Sequence, residues 1–212
     1  LNDIRTLTKE AGIEAEMFIH GALCVCHSGQ CLFSSLVGGR SGNRGMCAQP
    51  CRLPYRVKGG KIGYPLSLKD LCLACHIPEI LSSGVASLKI EGRMKPPEYV
   101  GGVTAIYRRL LDERRPATSE ELQQLSDIFS RGGFTDRYFT GSVSSSPKAV
   151  PPDMLGVRSE ADKARSRTVA DRERPLRKVG LSALAVLRAG QPMTLTLSFT
   201  EQEARRRARA VS

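Results

Sequence analysis

Ile4, Leu7 and Ala11 recur at helical spacing near the start of the chain, and Gly12 stands where a left-handed residue would stop a helix. Residues 14–19 then read as a strand that runs out at His20 and Gly21. A helix, a glycine turn and a strand form an α/β pattern, in which chemistry collects at the carboxyl ends of the strands. Further on, residues 69–75 read as a short helix. Pro78 fits the first turn of the next helix, which Gly84 closes, and residues 85–90 form a second strand ending in Glu91, Gly92 and Arg93. The strongest periodicity predicts a helix over residues 97–115, with Val100, Val103, Tyr107, Leu110 and Leu111 as its buried stripe. Thr118 and Glu121 make a capping box for another helix that stops near Gly132.

Two stretches lack such a pattern. Residues 34–65 are rich in glycine and basic side chains, and an irregular run of that length needs a functional or metal-bound reason to stay ordered. Residues 141–178, rich in Ser, Pro and charge, read as a linker. Beyond them Met193, Leu195, Leu197 and Phe199 alternate with Thr194, Thr196 and Ser198, the pattern of a half-buried strand. Residues 181–187 are its partner, so the end of the chain predicts a β-hairpin, with 201–209 helical and basic. The predicted organisation is an α/β region over 1–140, a linker over 141–178 and the start of a small β domain over 179–212.

Composition narrows the classes. The chain has 212 residues with a 41% apolar share, enough to build a core. No run of about 20 apolar residues predicts a membrane span, and no leader pattern opens the chain. The chain starts at Leu1, straight into a helical pattern, which reads as a fragment of a longer protein. Seven cysteines, an odd number, argue against a fully paired secreted framework and for ligands or nucleophiles in a reducing cytoplasm. The net charge is +11, and residues 158–212 alone carry 13 Lys and Arg against 6 Asp and Glu. Such a tail suits a phosphate-rich partner, or simply a solvated surface. With aromatics at 5% and no Trp, no stacking platform for single-stranded RNA is evident; Tyr55 and Tyr64 are the nearby candidates, and core or loop packing is the reading preferred for both.

Four cysteines, Cys24, Cys31, Cys47 and Cys51, fall in 28 residues. Their spacing, Cys-x6-Cys and then Cys-x3-Cys, departs from the short knuckles of structural zinc. An iron–sulfur cubane tolerates irregular spacing, and Gly21, Gly29, Gly42 and Gly45 would let backbone N–H groups approach its sulfides. Cluster, zinc and plain thiols all remain open on spacing alone. Cys26, Cys72 and Cys75 are extra, with Cys72 a substitute fourth ligand for Cys51. No Gly-x-Ser-x-Gly elbow or His-Glu-x-x-His motif is present. A thiol protease would need a free pair such as Cys24 with His20 or Cys26 with His27, which ligation would exclude.

These residues resemble the collagenase-like peptidase family of undefined catalytic type. The signature elements are Glu16, Phe18, Gly21, Ala22, Leu23, Cys24, Gly29, Cys31 and Ser34, with Phe33 in place of the usual aliphatic residue. The likeness continues through Arg44, Gly45, Cys47, Cys51 and Arg52, then 68–71 and 77–79, and ends over 87–95 and 97–100. It covers roughly 10–140; Cys26 and His27 stand where relatives often carry Ser and Tyr. Despite the family's name, bacterial members serve RNA-base hydroxylation, of an rRNA cytidine or a tRNA wobble uridine, and the glycine-rich loop looks most like the rRNA branch. The resemblance implies a (β/α) TIM-type barrel, of which this chain supplies the C-terminal part with its Cys-rich loop. It also implies a 4Fe–4S cluster on Cys24, Cys31, Cys47 and Cys51, and prephenate or a similar carboxylate as hydroxyl source.

The catalytic candidates are His20, Glu91 and Arg93. His20 follows the first strand and suits proton transfer or substrate binding, against a plain hydrogen-bonded histidine at a turn. Arg93 has the fork to grip a carboxylate or phosphate, against a structural pair with Glu91. Lys89 and Lys95 add positive field, while Arg40, Arg44 and Arg52 frame the cysteine loop, contacting phosphate or offsetting thiolate charge. A zinc-stabilised nucleic-acid-binding module and a collagenase-like peptidase are the competing readings.

Overall fold

The computed structural model describes residues 2–27, 29–56, 59–141, 150–172, 182–186 and 194–198. The chain divides into two compact units, Leu1–Glu173 and Arg174–Ser212. In the first, the elements run α1 (Asn2–Lys9), β1 (Glu16–Ala22), α2 (Phe33–Gly38), β2 (Tyr55–Arg56), β3 (Ile62–Gly63), β4 (Asp70–Cys72), α3 (Ile77–Ser82) and β5 (Ser87–Ile90). They continue with α4 (Pro97–Glu113), α5 (Ser119–Ile128), β6 (Phe134–Thr135), α6 (Arg137–Thr140) and α7 (Glu160–Arg172). In the second unit the described residues form two strands, β7 (Ser182–Val186) and β8 (Thr194–Ser198), paired antiparallel from Ser182 opposite Ser198 to Val186 opposite Thr194. The expected terminal helix at 201–209 lies outside the described residues.

The first unit is mixed α/β. Its four-stranded sheet has the order β5-β1-β4-β6. β1 lies parallel to β5, as neighbouring barrel strands would, but antiparallel to β4, which an all-parallel barrel does not contain. The apolar stripe of α4, Tyr99, Val103, Ile106, Tyr107 and Leu110, covers the sheet together with Ile77 and Ile80 of α3. The stripe starts at Tyr99; Val100, expected inside, is 45% exposed, and Ile106 takes the inward position. Gly12 lies in the turn after α1, as expected of a stop signal.

The structure corrects the reading of residues 69–75. They form β4 followed by a tight turn at Ala74–His76. Asp70, Leu71, Cys72, Leu73 and Ala74 are all buried, and a run buried on every side carries no periodicity to separate strand from helix. Residues 150–172, within the stretch read as linker, belong to the first unit. Met154 is 1% exposed and its carbonyl accepts from Lys69 N at 2.8 Å. α7 is held to α5 by polar contacts, Ser166 Oγ to the Asp127 carbonyl at 2.9 Å and Arg165 Nε to Asp127 at 3.1 Å. Hydrophobic patterning does not register bonds of that kind.

Candidate functional site

β1 is extended three residues past the predicted end, so His20 and Gly21 lie within the strand and not in a turn. A register shift against β5 between Phe18 and His20 leaves Ile19, His20 and Gly21 buried in succession. Glu91 N donates to the His20 carbonyl at 2.8 Å, which brings the ends of β1 and β5 together. Gly21 is required there: its φ is +113° and a Cβ would stand 2.5 Å from the Glu91 carbonyl oxygen.

Where β1 ends, the chain enters the cysteine loop and encloses a cavity of about 460 Å³. Cys24, Cys26, Cys31, Cys47 and Cys51 all line it, with His20 and Glu91 on the strand side. Burial pushes the Cys51 thiol up; Arg52 opposes this, while nearby Cys24, Cys47 and Cys31 add to it. Cys26 is likewise raised by desolvation and by Cys31 and Cys24. Cys72 is elsewhere, buried in the core with its Sγ 3.6 Å from the Tyr107 hydroxyl and its thiol pushed up to about 11 by burial. Cys75 is exposed on the turn before α3. Among the described residues no three His, Cys, Asp or Glu side chains are grouped as a single metal ion requires.

The loop is organised by polar contacts to its own backbone. Ser34, 2% exposed, accepts from Ala48 N at 2.9 Å, Asn43 Nδ2 donates to the Gly29 carbonyl at 2.9 Å, and Arg40 Nε to Met46 at 3.0 Å. Arg52 is committed to backbone as well: Nη2 donates to the Leu23 carbonyl at 2.6 Å and Nη1 to Leu68, tying the approach to Cys24 to the approach to β4. Tyr55 donates to the Pro50 carbonyl at 2.8 Å and so supports the turn that carries Cys51. Gln49, which sequence reasoning passed over, donates its backbone N–H to Cys47 Sγ at 3.3 Å. Its only sequence signal is its place between Cys47 and Pro50.

His20 is 1% exposed, enclosed by the rings of Tyr99, Tyr107 and Phe134. Burial, with a lesser push from Lys95, lowers its pKa to about 3, so it is neutral near pH 7. The Tyr107 hydroxyl donates to the Ile19 carbonyl at 3.0 Å, which leaves the hydroxyl oxygen to accept from His20 Nδ1 at 3.3 Å. That contact assigns the proton to Nδ1 and makes Nε2 a bare acceptor, and Nε2 has no partner among the described residues.

Glu91 lies on the cavity wall, and its Oε1 accepts the Arg93 backbone N–H at 2.9 Å. The Arg93 guanidinium lies instead over Gly45 of the cysteine loop, where an added Cβ would meet it at 3.5 Å. Lys89 is turned away, bonded to Glu16 at 2.9 Å on the sheet surface.

No helix among the described residues is long and apolar enough to cross a membrane. The chain is 42% identical over 149 residues to the 23S rRNA 5-hydroxycytidine C2501 synthase of Escherichia coli, a match covering 68% of this chain and 22% of that protein. It is 39% identical to the tRNA hydroxylation protein P1 of Bacillus subtilis, over 52% of this chain and 29% of the relative. A collagenase of Porphyromonas gingivalis is 38% identical over 61% of the chain and 34% of its own length. The chain thus spans about a fifth to a third of these relatives. No solved structure matches it. The profile of peptidase family U32 matches residues 1–148, about 70% of the chain, and the protein belongs to that family.

Proposed function

We propose that this chain is the part of an RNA-hydroxylation protein that holds a 4Fe–4S cluster, on Cys24, Cys31, Cys47 and Cys51. The observation that carries the reading is the gathering of these four thiols on one cavity at the carboxyl end of β1. A tetrahedral zinc needs sulfurs about 3.8 Å apart, from Zn–S bonds of about 2.3 Å. A cubane spreads its ligands more widely, which suits cysteines that share a cavity without converging on one point. The Gln49 N–H at Cys47 Sγ and the Arg52 charge beside Cys51 suit a set of thiolates. When bound, the cluster supplies a redox or Lewis-acid centre.

The chain's own residues define the rest of the site. His20, held neutral by burial on the strand side of the cavity, is unsuited to acid catalysis and supports the wall through Tyr107. Glu91 presents a carboxylate to the same cavity, oriented by the Arg93 backbone. Parallel β1 and β5 are the pair that fits a (β/α) barrel, with antiparallel β4 on the other edge of β1 as the departure from it. The substrate is an RNA base in the cytoplasm, an rRNA cytidine in preference to a tRNA uridine, following the relatives. Prephenate or a related carboxylate is the hydroxyl source.

Anaerobic purification tests this. A brown protein with about four iron and four sulfide per chain is expected, and Cys24→Ser and Cys47→Ser should each lose colour and iron. Colour and iron retained in both variants would refute the ligand assignment. Colourless protein with one zinc would indicate the binding module instead. Metal-free protein that cleaves gelatin and is stopped by thiol alkylation would indicate the peptidase.

A further inference from the structure

A second cavity, of about 330 Å³, adjoins the cysteine loop, and none of the cysteines lines it. Gln49 and Arg93 reach its wall, so it borders the first site without merging with it. Its remaining cations arrive from separate segments: Lys95 after β5, Arg131 after α5 and Arg158 before α7.

These three charges crowd one ring. Lys95 Nζ is 2.7 Å from the centre of Phe129, Arg158 is 4.3 Å from it and Arg131 5.0 Å. Cation–π attraction offsets part of their mutual repulsion. Asp70 forms an ion pair with Arg131, and Glu98 is the acidic residue on the wall. Arg158 Nη2 is used on Ser166 Oγ at 2.6 Å and on the Asp162 carbonyl at 3.2 Å, but its Nε is buried with no partner among the described residues. Burial, together with Arg131 and against the opposing pull of Asp70, lowers the Lys95 pKa to about 7.

The backbone at the rim is strained in the same place. Gln49 (φ 56°) and Met94 (φ 62°) are two of the three non-glycine residues with positive φ among the described residues, and both line this cavity. Strain of that kind concentrates at ligand sites.

We propose that this cavity binds a small-molecule oxyanion of the carboxylate or phosphate class, held by Arg93, Lys95, Arg131 and Arg158. Four donors from three segments, converging on one concavity, fit a compact anion. A polymer backbone calls instead for an open basic stripe. The site does not depend on the cysteines holding a cluster; for a carboxylate ligand it rests on the hydroxyl-source part of the hydroxylation reading.

Calorimetric titration of the full chain with inorganic phosphate, with succinate and with a short single-stranded RNA tests the assignment. One-site binding of phosphate or succinate is expected, weakened about tenfold or more by Arg93→Gln and by Lys95→Met. Arg93 is exposed, so its variant keeps the fold, as circular dichroism would verify. Lys61→Gln, on the β2–β3 hairpin, should bind as the unaltered chain does. Binding that survives both cavity variants would overturn the proposal. So would RNA binding, weakened by those variants, in the absence of small-anion binding, which would make the cavity part of an RNA surface.

Discussion

His20 and Gly21 are two adjacent residues of β1 with opposite demands on their surroundings. His20 is buried neutral, with a pKa lowered to about 3 from the ordinary 6.5. Between those values the unfolded chain binds a proton that the folded chain does not, so stability falls as pH drops from 6.5 towards 3. A His20→Gln variant should lose this component. Urea midpoints measured across that interval should fall less steeply than those of the unaltered chain, and parallel curves would show that the histidine does not carry it. Gly21→Ala places a methyl group against the Glu91 carbonyl oxygen at positive φ, and should cost about 2 kcal/mol or more in urea denaturation. A neutral result would mean that the ends of β1 and β5 are looser than described. The sequence exposed both residues through the family signature and strand pattern. It placed His20 at a turn because the shift that buries three successive positions leaves no alternation to follow.

At the scale of elements, α5 depends on its first turn. Thr118 Oγ1 accepts from Glu121 N at 3.3 Å, and Glu121 Oε2 accepts from Thr118 N at 3.0 Å. Hydrogen bonds from Arg115, above all, hold the Glu121 carboxyl down to about 2. Thr118→Ala should therefore cost about 1 kcal/mol, read as a lower thermal midpoint. This box was legible because its two residues sit three apart in the sequence. The stripe of α4 was legible to within one position for the same reason. β4 was not, since its partners β1 and β6 lie about fifty and sixty residues away and its own positions are uniformly buried. The cysteine loop falls between these cases. The spacing marked the residues, but only the fold shows that five of them meet one cavity while Cys72 and Cys75 do not.

Over the whole molecule, charge divides unevenly between the units. Residues 174–212 carry eight Lys and Arg against two Glu. If this unit contacts RNA phosphates, a chain ending at Glu173 should bind RNA more weakly and with a shallower dependence on salt. Equal slopes for the two chains would remove the second unit from the interface. The cationic cavity lay beyond reach of sequence reading, because its lining spans positions 49 to 169 and shares no motif. The irregularity in β1 has a further consequence for how this chain tolerates change in length. The strand uses its one departure from regular pairing to bury Ile19 and His20 together, so it has no slack downstream. β1 ends at Ala22, so a single residue inserted before Cys24 would displace the first thiol along the cavity wall, whereas the exposed tip at Gly59 and Gly60 should absorb the same insertion with little effect.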